Sequence, residues 1–206
     1  MSRQAQPSGY ERVVLLADDD DVPIGTADKA TVHHATTPRH RGFSCYVMDA
    51  ADRVLVTRRS LTKRTWPGVW SNSFCGHPAP GEPYEHAVHR RAADELGLVL
   101  LELRCVLPSF RYTATDPSGI VENEHCPVYV AKTASTPLAD PDEVGELAWT
   151  TGDALLGLVQ QTPWAITPWA ALQVPLLAAD FGPSDPVPDS RHPDRGVDPA
   201  AEAALR

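Results

Sequence analysis

At 206 residues and a formal net charge of −9, the chain suits one domain with a full hydrophobic core and is too acidic for a nucleic-acid-binding surface. No apolar run approaches the roughly 18 residues of a membrane span, and the negative charge gives no reason for an anionic membrane partner. The four cysteines, Cys45, Cys75, Cys105 and Cys126, make no C-x-x-C pair and no disulfide-dense spacing, so free thiols in a reducing compartment are expected.

Residues 1–10 are polar and lack the apolar stretch of a secretory signal, which predicts a flexible N-terminus and a cytoplasmic location. Val13–Leu16 reads as a buried strand, followed by a turn over Asp18–Asp21. Phe43–Met48 and Val54–Arg58 read as strands joined by a short polar hairpin connection, and Trp70–Cys75 as another strand. Cys45, Cys105 and Cys126 lie in apolar runs and read as small core residues. The stretch Tyr84–Leu96 is the clearest helix. Val88, Ala92 and Leu96 recur every four residues, Pro83 suits its start and Gly97 its C-terminal cap. Further strands are predicted at Val106–Leu107, Phe110–Thr113 and Glu122–Ala131, with a turn over Thr115–Gly119. Helices follow at Asp153–Gln160 and from Pro168, the latter ended or kinked by Pro175. Residues 181–206, rich in Pro, Asp and Ala, have little to bury and read as a tail without fixed fold. Many strands with few helices indicate an α+β or mixed α/β/α sandwich over residues 11–180.

Glu122 and Glu124 stand at i and i+2, so on a strand both face one side. Acids are depleted in strands, and two on one face repel unless a cation or a shared proton lies between them. A metal or proton-transfer site is one reading, and a solvated strand edge is the other. His33 and His40 are seven apart with Pro38 between them, which argues against a shared helix face; they gain weight only together with His77 and the two glutamates. Asp94 and Glu95 sit in the last helical turn, where the dipole disfavours acids. A solvated pair and a ligand for a hard cation both remain open there. Arg58, Arg59, Lys63, Arg64 and Arg91, with Lys29 upstream, place cations suited to phosphate in an acidic chain, though any one also suits plain solubility.

From Gly76 the chain resembles the Nudix box, a loop–helix–loop that binds metal-complexed diphosphates. Gly76, Glu82, Arg90, Glu95 and Gly97 match it, whereas Arg91 and Asp94 stand where the box carries glutamates. More specific are Thr57–Ser60, Trp66–Trp70, Asn72–Pro78, Phe110–Tyr112, Asp116–Glu124, and Thr162–Ala165 with Pro168-Trp169. In that order they resemble type I isopentenyl-diphosphate isomerases from about Val13 to Val174. The resemblance implies a Nudix-like fold of mixed sheets flanked by helices. It also implies interconversion of isopentenyl and dimethylallyl diphosphate through a tertiary carbocation, in isoprenoid precursor biosynthesis.

By the same resemblance, His33, His40, His77, Glu122 and Glu124 bind one divalent metal (Mn, Zn or Mg), and imidazole ligands favour a transition metal. Glu95, with the Cys75 backbone carbonyl, holds Mg²⁺ against the diphosphate, which Lys29, Arg59, Lys63 and Arg91 contact. Cys75 and Glu124 are the proton-transfer pair. Tyr112 hydrogen-bonds Glu124 and relays its proton, and Trp169 shelters the cation with its π face. The expected assembly is a monomer or weak homodimer. A Nudix diphosphohydrolase and a catalytically dead diphosphate-binding module remain the alternatives; the first releases phosphate, and the second has no use for both Cys75 and Glu124.

Overall fold

Every residue of Phe43–Met48 is buried, and alternation along this strand sets the layers. Phe43, Cys45 and Val47 pack into one apolar cluster with Ala87, Val88, Ala92 and Leu96. Tyr46 and Met48 pack on the opposite side with Leu155, Val159, Trp169 and Val174. The sheet containing this strand is therefore sandwiched between helices, as a strand buried on both faces requires. The computed structural model describes residues 11–18 and 20–181. The expected flexible N-terminus and all of the expected tail except Phe181 lie outside these residues.

In chain order the strands are β1 (Arg12–Leu16), β2 (Pro23–Asp28), β3 (His40–Arg41), β4 (Phe43–Met48), β5 (Val54–Arg59), β6 (Trp70–Ser71), β7 (Phe74–Gly76), β8 (Leu101–Leu107), β9 (Arg111–Thr115), β10 (Val121–His125), β11 (Val128–Lys132) and β12 (Val144–Thr150). The α-helices are α1 (Tyr84–Leu96), α2 (Gly152–Gln161) and α3 (Pro168–Gln173). One sheet runs β2-β1-β3-β10-β9; the other runs β12-β5-β4-β11-β8, with β6 on β5 and β7 on β4. This is the mixed α+β arrangement that the sequence indicates.

Helix α1 has the bounds that its periodicity predicts. Gly97 closes it at φ 61°, ψ 22°, a left-handed conformation that glycine adopts without steric cost, and its N–H reaches the Ala92 and Ala93 carbonyls. Val88, Ala92 and Leu96 are all buried. Glu95 lies on the same buried face, while Asp94 points outward with its side chain 56% exposed. The two adjacent acids thus divide, one solvated and one directed inward.

Two strand pairs change sheets side by side. β3 pairs in parallel with β10, and β4 in parallel with β11. Backbone bonds bridge the corner without a break: the Gly42 N–H donates to the His125 carbonyl (2.9 Å) and the Ser44 N–H to that of Pro127 (3.1 Å). The single strand expected over 122–131 is consequently two strands in two sheets. Pro127 offers no N–H to continue the ladder, and the chain turns there. Likewise Trp70–Cys75 is two short strands, one on β5 and one on β4.

Three further expectations need correction. Cys105 is exposed rather than core, because it lies on β8 at the sheet's edge. Phe181, grouped with the tail by composition, is buried against Tyr46 with ring centroids 5.6 Å apart. Strands β2, β3 and β12 lacked sequence signals: β3 is two residues long, and β2 and β12 are strands at sheet edges with largely exposed side chains.

Candidate active site

A cavity of about 240 Å³ opens between the two sheets. Tyr112 on β9 and Glu122 and Glu124 on β10 line it from one sheet; Thr57, Arg59, Phe74, Cys75 and Gly76 line it from the other. Strand register places the first group. Glu124 lies opposite His40 in β3 and opposite Tyr112 in β9, so three site residues stand abreast on neighbouring strands. Ser44 lies opposite Cys75 in the β4–β7 pair.

Single ligating atoms of His33, His40, His77 and Glu124 come within 4.8 Å of one another. His77 Nε2 is 3.0 Å from Glu124 Oε1 and 3.2 Å from His40 Nε2. The His40 Nδ1–H donates to the Pro38 carbonyl (3.0 Å), which turns Nε2 into the cluster. Burial pushes the His40 imidazole down, but the neighbouring Glu124 carboxylate outweighs it and raises the pKa above the usual value. His77 Nδ1 is buried with no partner among the described residues. Burial pushes the His77 imidazole down to about 4, so it is neutral, the form that ligates metals. Burial pushes Glu124 up, but hydrogen bonds with His40 and His77 outweigh it and hold the carboxyl well below the usual range. Converging imidazole nitrogens, an ionised carboxylate and an orphaned nitrogen suit a divalent transition metal.

Glu122 stands one step away. Its Oε1 accepts from the Thr65 hydroxyl (3.0 Å), and its Oε2 lies 3.1 Å from His33 Nε2. As placed, it orients His33 rather than joining the four-atom cluster. Tyr112 lies beside Glu124 in register, 5.7 Å from the Trp169 ring, and lines the cavity, with no hydrogen bond between its hydroxyl and Glu124 as the side chains stand.

Cys75 sits across the cavity. Burial pushes its thiol up to about 12, so it is protonated at neutral pH. The rim is cationic. Lys29, Arg59, Lys63, Arg64 and Arg91 all line it. Burial pushes Lys63 down to about 8 and also lowers Lys29, which feels Arg91 as well. The Arg59 guanidinium is anchored on the Thr65 carbonyl (2.9 and 3.0 Å) and lies 5.5 Å over the Trp169 ring. Arg91 Nε donates to Glu95 Oε1 (2.8 Å).

A family model for the NUDIX domain matches residues 38–170. An isopentenyl-diphosphate Delta-isomerase of Clavibacter michiganensis subsp. michiganensis is 58% identical over 83% of this chain and 88% of its own length. One of Agromyces mediolanus is 54% identical over 87% of each chain. The chain belongs to the isopentenyl-diphosphate Delta-isomerase family of NUDIX proteins. Among solved structures, that of DR0079 from Deinococcus radiodurans superposes with a TM-score of 0.61 at 22% identity, covering 81% of this chain and 98% of that one. The MutT protein of Methanosarcina mazei Go1 gives 0.54 at 15%, covering 71% and 97%. Both likenesses establish the NUDIX fold alone.

Within this isomerase-family chain the box has divided its labour. Glu82 and Arg90 form a two-pronged ion pair (2.7 and 2.8 Å), and Glu82 also accepts from the Ala79 N–H, so both residues lock the loop onto α1. Of the box acids only Glu95 faces the cavity.

Several site residues carry no local signal. Glu143 bridges Lys63 and Arg91, holding two rim cations apart, yet it belongs to an ordinary acidic loop that only tertiary folding brings here. Gly42 is another. A Cβ there would lie 2.2 Å from Glu124 Oε2 and 2.9 Å from Oε1. The carboxylate therefore occupies the space a side chain would fill. Gly42→Ala is expected to displace Glu124 and lower turnover by about 100-fold, because small misplacements of reacting groups are costly. Overpacking should cost about 1–3 kcal/mol of stability. Parallel activity and thermal-denaturation measurements check this; unchanged turnover would mean that the carboxylate has room to retreat.

Proposed function

We infer that the chain interconverts isopentenyl diphosphate and dimethylallyl diphosphate by adding one proton and removing another. Its membership of a family whose relatives carry that name supports the activity. The observation that carries the mechanism is the placement of a carboxylate and a thiol, from two different sheets, on one cavity with a cationic rim.

The diphosphate docks against Lys29, Arg59, Lys63 and Arg91, whose charges match its oxygens. The alkene then lies deeper, between Cys75 and Glu124. One member of this pair delivers a proton to the terminal carbon of isopentenyl diphosphate, which creates a tertiary cation at the branched carbon. The other removes a proton from the neighbouring methylene, and the double bond re-forms one position along. One proton enters, one leaves, and the diphosphate is conserved. The π face of Trp169, buried beside Tyr112 and Trp66, stabilises the cation by about 0.5–2 kcal/mol and excludes water that would trap it. Tyr112 faces the same space and lends its ring and hydroxyl to that wall.

His33, His40, His77 and Glu124 would hold a divalent metal, with Glu122 as the nearest further oxygen donor, and Mn, Zn or Mg each suits this mixed set. Such an ion supplies charge that fixes Glu124 in place and biases its protonation. Glu95, with the Cys75 carbonyl, is assigned to a Mg²⁺ that accompanies the diphosphate. We assign the enzyme to the cytoplasm; among the described residues no helix is long and apolar enough to cross a membrane. The assigned partners are the two diphosphates alone, with no nucleic acid or membrane, and the assigned assembly is a monomer or weak homodimer.

A hydrolase reading fares worse. Arg91 replaces one acid of the box, Asp94 faces solvent, and Glu82 is spent on Arg90. Incubation with isopentenyl diphosphate and Mg²⁺ in deuterated water decides between the two. The isomerase yields dimethylallyl diphosphate carrying solvent deuterium; phosphate release without conversion overturns the assignment.

A further inference from the structure

Behind the cavity wall lies a fully buried amide, Asn72, whose orientation is fixed twice over. Its Nδ2 donates to the Cys45 carbonyl (3.0 Å) and to the Phe74 carbonyl (2.6 Å), which uses both of its hydrogens. Its Oδ1 faces the indole Nε1–H of Trp169 (2.9 Å), a group that can only donate. Flipping the amide would set an oxygen against two carbonyls and an N–H against an N–H. Oδ1 is therefore a pure acceptor, and it takes three donors: Trp169 Nε1–H, the Ser71 hydroxyl (2.9 Å) and the Cys75 thiol (3.2 Å).

We propose that Asn72 is a positioning residue of the isomerase reaction, whose single side-chain oxygen sets both the direction of the Cys75 S–H bond and the plane of the Trp169 ring. The inference rests on the isomerase reading of the site. Two groups act on the substrate, a proton-transfer thiol on β7 and a π face on α3, and Asn72 is the one side chain that hydrogen-bonds both among the described residues. Its oxygen has two lone pairs, and the two shorter bonds from Trp169 and Ser71 already satisfy it. The thiol hydrogen can consequently swing from Asn72 toward the alkene without leaving a buried acceptor unpaired, a loss that would otherwise oppose the step.

The other partner of the sulfur points the same way. Ser44 Oγ lies 3.5 Å from Cys75 Sγ and 3.4 Å from Cys126 Sγ. Its oxygen receives the Gln173 amide N–H (3.0 Å), and Gln173 Oε1 in turn receives the Tyr46 hydroxyl (3.0 Å). With that bond made, the Ser44 hydrogen is directed at a sulfur. Where that hydrogen goes to Cys75, the Cys75 hydrogen is left for Asn72 or for the cavity; where it goes to Cys126, the shorter contact to Asn72 Oδ1 (3.2 Å) still offers the thiol the nearer acceptor. Gln173, like Trp169, lies on α3, so this helix anchors both sides of the thiol.

The test compares wild type, Asn72→Leu and Asn72→Asp, each checked for folding by thermal denaturation. Kinetics are measured with isopentenyl diphosphate, and the Trp169 indole N–H is observed by NMR of protein labelled at tryptophan with nitrogen-15. Asn72→Leu removes every polar atom at similar volume. Its kcat should fall about 100-fold, with KM within about threefold because the rim cations are untouched, and the Trp169 indole signal should move upfield as its bond is lost. Asn72→Asp keeps an acceptor oxygen facing Trp169 and Ser71; buried against the Cys45 and Phe74 carbonyls it is expected to carry a proton on its other oxygen, so that a donor is kept there too. It should hold the indole signal near its wild-type position and recover at least tenfold in kcat over Asn72→Leu; if the leucine variant does not fold, kcat within about tenfold of wild type is the expected result.

A folded variant whose indole signal moves while kcat does not overturns the proposal, as does one in which KM carries the loss. An Asn72→Asp protein with a wild-type indole signal and a kcat as low as that expected for the leucine variant overturns it too. A wild-type protein that fails to isomerise the substrate overturns the proposed function instead, and the indole signal still reports whether Asn72 holds Trp169.

Discussion

Glu124→Gln is expected to lower isomerase turnover by at least about 10²–10⁴-fold while leaving the protein folded. The lower bound is the ordinary worth of a positioned acid or base. The amide preserves the shape that fits the space above Gly42, and its oxygen can still accept from His77 Nε2. It cannot take up a proton, and it is a poorer metal ligand than a carboxylate. Metal content measured on the purified variant should fall together with turnover. Glu122→Gln serves as the internal comparison. Glu122 accepts from Thr65, lies 3.1 Å from His33 Nε2 and stands outside the four-atom cluster, so its loss should weaken metal retention with a smaller effect on turnover. Wild-type-like rates for Glu124→Gln would remove this residue from the proton transfer. Equal losses in the two variants would reduce its role to ligation.

Cys75→Ala should produce a comparable loss, about 10²–10⁴-fold in turnover. Its fold should survive, because the neighbours of the sulfur remain satisfied without it. Asn72 Oδ1 keeps Ser71 and Trp169, and the Ser44 hydroxyl keeps Cys126 and Gln173. The melting temperature therefore separates a chemical loss from a structural one. Cys75→Ser refines the test. A hydroxyl retains the hydrogen-bonding geometry but is a far weaker acid than a thiol, so if proton donation by this residue matters the serine variant should remain severely impaired. Recovery to wild-type rates in either variant would take Cys75 out of the mechanism.

Helix α1 was legible because its signals are local. A four-residue apolar recurrence and a glycine cap define thirteen residues without reference to the remainder of the chain. The strands Phe43–Met48 and Val54–Arg59 were legible for the same reason, as apolar runs around a polar turn. The run 122–131 was not. Its residues suit one long strand, but Pro127 and the parallel partner at Gly42 split it between two sheets, and that partner lies some eighty positions away in sequence. The fates of Asp94 and Glu95 were likewise open until packing of α1 showed which face is buried. Glu143 and Asn72 are ordinary residues in their local surroundings; only the cations of one and the thiol and indole of the other, gathered from distant segments, give them work.

The sequence by itself determined which chemical groups are present and the order of the motifs that carry them. Histidines, glutamates, a thiol and cations suited to phosphate leave several chemistries open, and it is the resemblance carried by their ordered motifs that implies proton transfer at a diphosphate-bearing substrate. Tertiary structure alone decided how those groups divide. Strand register set Glu124 abreast of His40 and Tyr112, and the sheet corner at Gly42 opened the space its carboxylate fills. The pairing of β4 with β7 brought Cys75 to the facing wall. The physical reason is range. Periodicity, capping and turn chemistry act within a few residues, whereas a site that must hold an acid and a base apart takes its groups from strands that meet only when two sheets close around them.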